Sequence, residues 1–345
     1  MGKTGIVRDE RYMEHDPGPF HVETPRRLEA IYRALDELEG YERIASRPAT
    51  VEEVAEVHDL SYIKRIEATA GRSVQLDPDT ATSPRTYEIA LLAAGGLLKA
   101  VEEVMEGRLS NAFALIRPPG HHAERSRAMG FCIFNNVAIA ARYAMKRYGV
   151  ERVLIVDWDL HHGNGTQNAF WGEKEVLYFS THQYPYYPGT GHYTEIGEGE
   201  GKGYTVNCPL RVGCTDSDYA NIYRHLLRPI AEQFKPQLIL VSAGFDIYHL
   251  DPLGGMKVTE EGFARLTDLL LEMAGEVCDG RLVITLEGGY HLEGIARSVR
   301  EVVRRLLGEV PFSRERKEEE EDRDLSHIEG VIETVKKVLS PFWGF

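Results

Sequence analysis

A short apolar segment, VLIV at residues 153–156, is followed directly by the polar cluster DWDLHHGNGT. A continuously apolar strand is typical of a parallel sheet that is covered on both faces. Because alternate side chains of a strand point the same way, we expect Asp157, Asp159 and His161 to share one face. Two carboxylates and an imidazole that converge in an apolar environment need a cation to offset their repulsion and desolvation. The segment therefore predicts a metal site at the carboxyl end of a strand.

Taken alone, this motif also has a purely structural interpretation, in which one aspartate caps a helix and the other forms a salt bridge. The rest of the chain favours the metal site. Apolar segments near residues 112, 153, 176, 238 and 282 alternate with helical patterns at 136–149, 217–234 and 259–276. This alternation predicts β-α-β crossovers and a mainly parallel sheet with helices on both faces.

Four of the predicted strands end in unusual sequences, and active sites of open α/β sheets lie beyond the carboxyl ends of strands. The strand at 112 is followed by RPPGHH, which contains His121 and His122, and the strand at 238 by Asp246. The strand at 282 runs into LEGGY, which ends at Tyr290. Separately these residues are typical of a surface loop, a helix cap and a core tyrosine. Together with the 153–166 segment, they predict one shared site.

The amino-terminal third of the chain contains two long predicted loops, at residues 9–27 and 73–88, because proline and glycine interrupt both segments. Helical periodicity is present at 28–38 and around 51–70. A long apolar helix follows the second loop. We expect Ser83 to be its N-cap and Pro84 its first residue.

Composition excludes several classes of protein. The apolar fraction of 43% and charged fraction of 27% are ordinary for a globular chain, and at 345 residues we favour one large domain. No apolar segment approaches the roughly 20 residues of a membrane helix, so we expect no membrane partner and a cytoplasmic location. Four cysteines without paired spacing predict free thiols. The net charge of −14 argues against nucleic acid and is compatible with a cationic substrate.

Six motifs, RPPGHH, GFCIFNN, VDWDLHHGNGTQ, SAGFD, DPLGG and LEGGY, occur in the order found in zinc-dependent histone deacetylases. Roughly residues 5 to 308 resemble this family, which includes acetylpolyamine amidohydrolases, and DWD, HHGNG and SAGFD resemble its class II branch. The resemblance implies the arginase/deacetylase fold, a single α/β domain with an eight-stranded, mainly parallel sheet flanked by helices. It also implies an amidohydrolase that removes an acetyl or other short acyl group from the ε-amine of lysine.

Carried over by motif, the resemblance implies three metal ligands, Asp159, His161 and Asp246. Such a set leaves positions open for water and substrate, as a catalytic site requires. We expect Zn²⁺, although Fe²⁺ or Co²⁺ also suits these ligands. The resemblance further implies a structural K⁺ or Na⁺ at a site formed by Asp157, Asp159, His161 and Ser180.

The same comparison assigns roles to the remaining polar residues. Asp157 is expected to support His121, and Asn164 to support His122. We expect His122 to be the general base and then the general acid, while protonated His121 stabilises charge. Tyr290 is expected to donate a hydrogen bond to the developing oxyanion. The walls and rim of an acyl-lysine tunnel are assigned to Gly130, Phe131, Tyr187, Leu253 and Asp79, with Arg27 behind the metal.

The substrate remains open. Leu253 occupies the place where polyamine-selective relatives of the class II type carry a glutamate, which favours an acylated lysine in a protein or peptide over an acetylated polyamine. Another small acylamide is a third alternative. Two rival interpretations are a binuclear manganese ureohydrolase of the same fold, which would need further aspartate-rich motifs, and a non-catalytic acyl-lysine binder. Retention of His121, His122 and Tyr290 argues against the binder.

The chain is divided into a zinc-dependent deacetylase domain at residues 1–310, a charged linker at 311–325 and a carboxyl-terminal segment at 326–345. Apolar residues at helical spacing predict an amphipathic helix at 326–339. Phe342, Trp343 and Phe345 form an aromatic end. We expect this segment to pack on the body of the domain or on a second subunit, and a homo-oligomer is an open alternative.

Overall fold

The computed structural model describes residues 2–309, 318 and 321–345, and its centre is a parallel sheet of eight strands. These strands are β1 (Thr4–Val7), β2 (Tyr41–Ile44), β5 (Asn111–Ala114), β6 (Val153–Asp157), β7 (Val176–Gln183), β8 (Thr205–Leu210), β9 (Leu238–Ala243) and β10 (Leu282–Leu286). Their order in the sheet is β2-β1-β5-β10-β9-β6-β7-β8. Two further strands, β3 (Gln75–Asp77) and β4 (Thr80–Ala81), form a separate antiparallel hairpin. The predicted single α/β domain is confirmed.

Helices cover the sheet on both sides. The α-helices are α1 (Arg26–Leu35), α2 (Val51–Ala55), α3 (Leu60–Glu67), α4 (Thr86–Met105), α5 (Asn136–Tyr148), α6 (Asn164–Ala169), α7 (Asp216–Ile222), α8 (Arg228–Phe234), α9 (Glu260–Val277), α10 (Leu292–Leu306) and α11 (Glu329–Leu339). Helices α4 and α5 pack together in one layer, and α1, α10 and α9 pack side by side in another. A π-helical turn, Tyr223–Leu227, joins α7 to α8, so the helix predicted at 217–234 is continuous.

The five strands predicted from apolar segments are all present. Each is buried along its whole length or nearly so, which explains its continuous apolar sequence. Three strands of the eight-stranded sheet were not predicted. Strand β2 has exposed residues in its middle, and β8 contains a proline, so neither has the continuous apolar pattern of a central strand. Strand β1 is buried but only four residues long.

The predicted start of the long helix was wrong. Helix α4 begins at Thr86 rather than at Pro84. The hydroxyl of Ser83 accepts a hydrogen bond from the backbone N–H of Asp16 (3.2 Å), so it does not cap the helix. The predicted loops also contain regular structure, namely a 3₁₀ helix at Glu10–Glu14 and the β3-β4 hairpin.

The carboxyl-terminal segment packs on the body of its own chain. Helix α11 begins at Glu329, three residues later than predicted, and buries Ile332, Val335 and Leu339. Trp343 is buried beside Tyr204, and its indole N–H donates to the carbonyl of Gly203 (2.8 Å). The carboxyl-terminal segment is therefore part of the same packed body as the sheet.

Most of the predicted charged linker, residues 311–325, lies outside the described residues. Within the predicted linker, the carboxylate of Glu321 is not exposed to solvent but buried against the guanidinium of Arg265 (2.6 Å). Within the described ranges, no helix is both long enough and apolar enough to cross a membrane.

Replacing Trp343 with alanine tests the docking of the carboxyl-terminal segment. Because the change removes a large buried side chain and its hydrogen bond, we expect the free energy of unfolding to fall by about 3 kcal/mol. Phe345→Ala, at a neighbouring exposed aromatic, is the control and should change it by less than about 0.5 kcal/mol. Urea titration followed by circular dichroism measures both, and equal stabilities would contradict the docking.

Candidate metal centre and substrate pocket

The four strands whose ends carry the motifs, β5, β10, β9 and β6, are neighbours in the centre of the sheet. All four run in the same direction, so their carboxyl ends meet at one edge. Asp157, the last residue of β6, lies opposite Ser242 on β9 and Ser180 on β7. The sheet order thus places the four motif-bearing loops around one point, as predicted.

Three predicted metal ligands, Asp159, His161 and Asp246, come together at this point and are all buried. The Nδ1 atom of His161 lies 3.2 Å from Oδ1 of Asp159 and 3.1 Å from Oδ2 of Asp246. Donor atoms about 2.0–2.1 Å from a tetrahedral zinc ion would be about 3.3 Å apart. The two distances from His161 therefore fit a zinc ion.

The second oxygen of each carboxylate is held by the backbone. Oδ1 of Asp246 accepts the N–H of Leu160 (2.9 Å), and Oδ2 of Asp159 accepts the N–H of Gly288 (2.9 Å). Oδ2 of Asp246 is buried and accepts no well-aligned hydrogen bond from the described residues, although His161 is close. Burial raises the pKa of Asp246 to about 7, and Asp159 adds to this effect. A buried carboxylate oxygen without a donor is expected where a cation binds.

The tandem histidines have different partners. Nδ1 of His121 lies 3.1 Å from Oδ2 of Asp157, whereas Nδ1 of His122 lies 2.8 Å from the amide oxygen of Asn164. Burial lowers the pKa of His121, but Asp157 and then Asp159 outweigh it and raise the pKa to about 10. Burial and the neighbouring histidines hold the pKa of His122 well below its usual value. The partners thus favour the protonated form of His121 and the neutral form of His122.

The orientation of the Asn164 amide is determined by a second contact. Its Nδ2 donates to Oε1 of Glu124 (2.6 Å), which directs the amide oxygen towards His122. An amide oxygen accepts hydrogen bonds only, so Nδ1 of His122 must carry the proton. The Nε2 atom of His122 is therefore left as an acceptor.

A cavity of about 170 Å³ opens onto the histidines and His161. All five residues predicted to form the tunnel line it, and so does Tyr290; the full set is Asp79, Pro119, His121, His122, Gly130, Phe131, His161, Tyr186, Tyr187, Leu253, Gly288 and Tyr290. The rings of Phe131 and Tyr290 meet edge to face at 5.8 Å. Burial raises the pKa of Tyr290 well above its usual value, so its hydroxyl remains a donor.

The wall at Gly130 and Phe131 is tightly constrained. Both residues have positive φ angles, 56° and 67°, the second unusual for a bulky residue. A Cβ atom on Gly130 would lie 2.3 Å from Cδ2 of His122, so only glycine fits. Oδ1 of Asp79 accepts the N–H of Gly130 (3.2 Å). Asp79 thus holds the wall in addition to lining the cavity.

Sequence reasoning did not identify four residues that shape the pocket, namely His21, Tyr186, Asp251 and Glu287. The His21 ring packs on Phe131 at 4.7 Å, and the Tyr186 ring stacks on His161 at 5.6 Å. The carboxylate of Glu287 accepts the N–H of Gly120 (2.7 Å), and burial raises its pKa to about 7. Asp251 lies in the DPLGG motif and Glu287 in the LEGGY motif, and this position was the only feature of the sequence that could have pointed to them.

Arg27 lies behind the turn that carries Tyr290. Its guanidinium donates to the carbonyls of Gly289 (2.6 Å) and Glu287 (2.5 Å) and is paired with buried Glu23 (2.8 Å). Ser180, predicted to bind a monovalent cation, is buried, and its hydroxyl lies 2.9 Å from Nδ1 of His182. Its position opposite Asp157 keeps these two predicted cation ligands together.

Comparison with known proteins is consistent with this geometry. The model of a family described as "Histone deacetylase domain" matches residues 21–306. A "Probable deacetylase" of Archaeoglobus fulgidus is 40% identical over 99% of this chain and 98% of its own length. The human "Polyamine deacetylase HDAC10" is 44% identical over 87% of this chain but only 46% of its own length. The crystal structure of the HDA15 HD domain has a TM-score of 0.90 at 36% identity, covering 99% of this chain and 95% of that one.

Metal analysis tests the predicted ligand set. We expect one zinc ion per chain after loading and dialysis, and Asp246→Asn should weaken zinc binding by at least about 100-fold because it removes a charged ligand. The exposed Asp279→Asn is the control and should bind zinc normally. Mass spectrometry of the bound metal gives the stoichiometry, and two ions per chain would instead favour the binuclear interpretation.

Proposed function

Because the chain belongs to the histone deacetylase family and is a hydrolase of amide bonds, we propose that it removes acetyl or short acyl groups from lysine side chains. The observation that carries this proposal is one cavity lined by His122, Tyr290 and His161, the last of which belongs to the Asp-His-Asp group. A cavity of about 170 Å³ suits a single acylated lysine side chain rather than a bulkier ligand. The substrate would be a protein or peptide.

Asp159, His161 and Asp246 would hold the metal, for which we propose Zn²⁺. When bound, zinc polarises an amide carbonyl and lowers the pKa of water at the site. Asp157 would both support His121 and, with Asp159, His161 and Ser180, hold a structural K⁺ or Na⁺. Proton transfer and hydrogen-bond donation to the substrate would then be carried out by side chains of the protein.

His122 is proposed as the general base. Since Asn164 fixes the proton on Nδ1, the Nε2 atom is free to take a proton from the attacking water and return it to the departing amine. His121, kept protonated by Asp157, would stabilise negative charge without exchanging its proton. The Tyr290 hydroxyl would donate to the oxygen that becomes negative as the amide carbonyl is attacked.

The main alternative substrate is an acetylated polyamine, because the human relative that is 44% identical is named a polyamine deacetylase. We favour lysine because Leu253 gives the cavity an apolar side chain where an acid would attract a second ammonium group. Exposed apolar residues also adjoin residues that shape the pocket: Phe20 precedes His21, Leu250 precedes Asp251, and they are 99% and 54% exposed. Apolar residues flanking a lysine could bury this surface, whereas a polyamine could not.

Two substitutions test the proposed chemistry on a fluorogenic acetyl-lysine peptide with zinc-loaded protein. His122→Ala should lower kcat by about 10²- to 10⁴-fold because the base is lost. Tyr290→Phe should lower it by about 10²- to 10³-fold because one oxyanion donor is lost. His327→Ala and Tyr148→Phe, at residues outside the cavity, are the controls and should retain full activity. A fully active Tyr290→Phe variant would remove tyrosine from the mechanism.

Replacing Leu253 tests the substrate assignment. Leu253→Glu places a carboxylate at the cavity, so we expect the ratio of kcat/KM for acetylspermidine to that for acetyl-lysine peptide to rise about tenfold. Leu253→Gln matches its size without the charge and should leave the ratio nearly unchanged. If the wild-type protein already prefers acetylspermidine, the lysine assignment is wrong while the proposed chemistry stands.

A further inference from the structure

Asp251 connects two parts of the pocket through its carboxylate. Oδ2 accepts the backbone N–H groups of Tyr290 (2.6 Å) and His291 (3.1 Å). Oδ1 accepts the backbone N–H of Leu253 (3.0 Å). The carboxylate is buried, with a relative exposure of 6% for the residue. Three hydrogen bonds from backbone donors to one buried carboxylate make a strong and directional contact.

The turn that Asp251 holds is anchored at several points, because its two glycines give the backbone little conformational preference. Tyr290 follows two glycines, and Gly289 adopts a φ angle of 114° that other residues rarely reach. Gly288 is fixed to Asp159 by its N–H, and Arg27 holds the carbonyl of Gly289 from behind. Of the hydrogen bonds described for the Tyr290 backbone, the bond to Asp251 is the one that fixes its N–H, at the residue whose hydroxyl must be placed accurately.

We propose that Asp251 is a positioning residue that fixes Tyr290 against the reacting carbonyl and keeps Leu253 at the same cavity. This inference rests on the proposed function, since it assumes that the Tyr290 hydroxyl acts on substrate. The carboxylate itself does not line the cavity and acts through the two backbone segments that it joins. An amide in its place has one acceptor oxygen instead of two, so it cannot bind both segments.

A double-mutant cycle separates positioning from general support of the fold. Asp251→Asn should lower kcat on the acetyl-lysine peptide by about 10- to 100-fold, with KM changed less than about twofold, because misplacing a catalytic group mainly affects the chemical step. In a Tyr290→Phe background the same change should lower kcat by less than about twofold. Equal losses in both backgrounds would overturn the proposal.

A matched control is available at Asp216, another aspartate that binds the backbone at a helix start, through the N–H of Thr259 (2.8 Å). Asp216→Asn should leave kcat within about twofold of the wild-type value. If Asp251→Asn binds less zinc, Asp251→Glu replaces it in the cycle, because glutamate keeps the charge but displaces both acceptor oxygens by one methylene group. A kcat for this variant between those of the wild type and Tyr290→Phe is expected, and a wild-type value would contradict the proposal.

Hydrogen exchange provides a readout that does not depend on activity. In the full-length protein, Asp251→Asn should make the amides of Tyr290 and His291 exchange at least about tenfold faster, while those of β9 stay unchanged. Unchanged exchange at Tyr290 would refute the contact itself. If the wild-type protein hydrolyses neither acetyl-lysine nor acetylspermidine but exchange responds as expected, the proposed function fails and the structural role of Asp251 stands.

Discussion

The concentration of buried negative charge at the carboxyl ends of the central strands is the constraint that shapes this protein. Asp157, Asp159, Asp246 and Glu287 are all essentially inaccessible to solvent. Removing one carboxylate from water costs several kcal/mol unless a cation or directed donors replace the water. Backbone N–H groups and the imidazole of His121 supply part of that compensation, and a cation held by Asp159, His161 and Asp246 would supply more. A Cβ atom on Gly288 would lie 2.6 Å or less from both carboxylates of the group, which explains why the adjoining turn is glycine.

A second network of buried charges lies next to the first and holds the backbone of the turn that adjoins it. Glu23 accepts hydrogen bonds from Arg27 (2.8 Å) and Arg117 (2.5 Å), and all three side chains are fully buried. Arg27 continues to the carbonyls on either side of Gly288, and Arg117 precedes the turn that carries the tandem histidines. Loss of any one member would leave an uncompensated charge in the interior. The amino-terminal loop therefore helps to position the turns that carry Tyr290 and the tandem histidines, although it contributes no side chain to the Asp-His-Asp group.

The sequence allowed the central strands and two members of the Asp-His-Asp group to be predicted because both have strong local patterns, whereas Asp246 came from the family resemblance. Strands β6 and β9 are continuously apolar, and Asp159 and His161 occur at alternate positions just beyond β6. The edge strand β2 was not predictable, because its partial exposure removes the apolar pattern. Asp251 and Glu321 were missed for another reason. Their burial depends on partners far away in sequence, and a single sequence does not reveal which acidic residues acquire such partners.

The two histidines differ in the protonation state that their surroundings favour, because one is hydrogen-bonded to a carboxylate and the other to an amide. Asp157 gives His121 a charged partner, and Asn164 gives His122 a neutral one, at similar distances of 3.1 and 2.8 Å. A carboxylate stabilises an imidazolium far more than an amide does, so the two buried rings, 4.0 Å apart, do not both carry charge. The ring with the amide partner is the one that can accept a proton from water. The partner residues, rather than the histidines themselves, therefore determine which imidazole can act as a base.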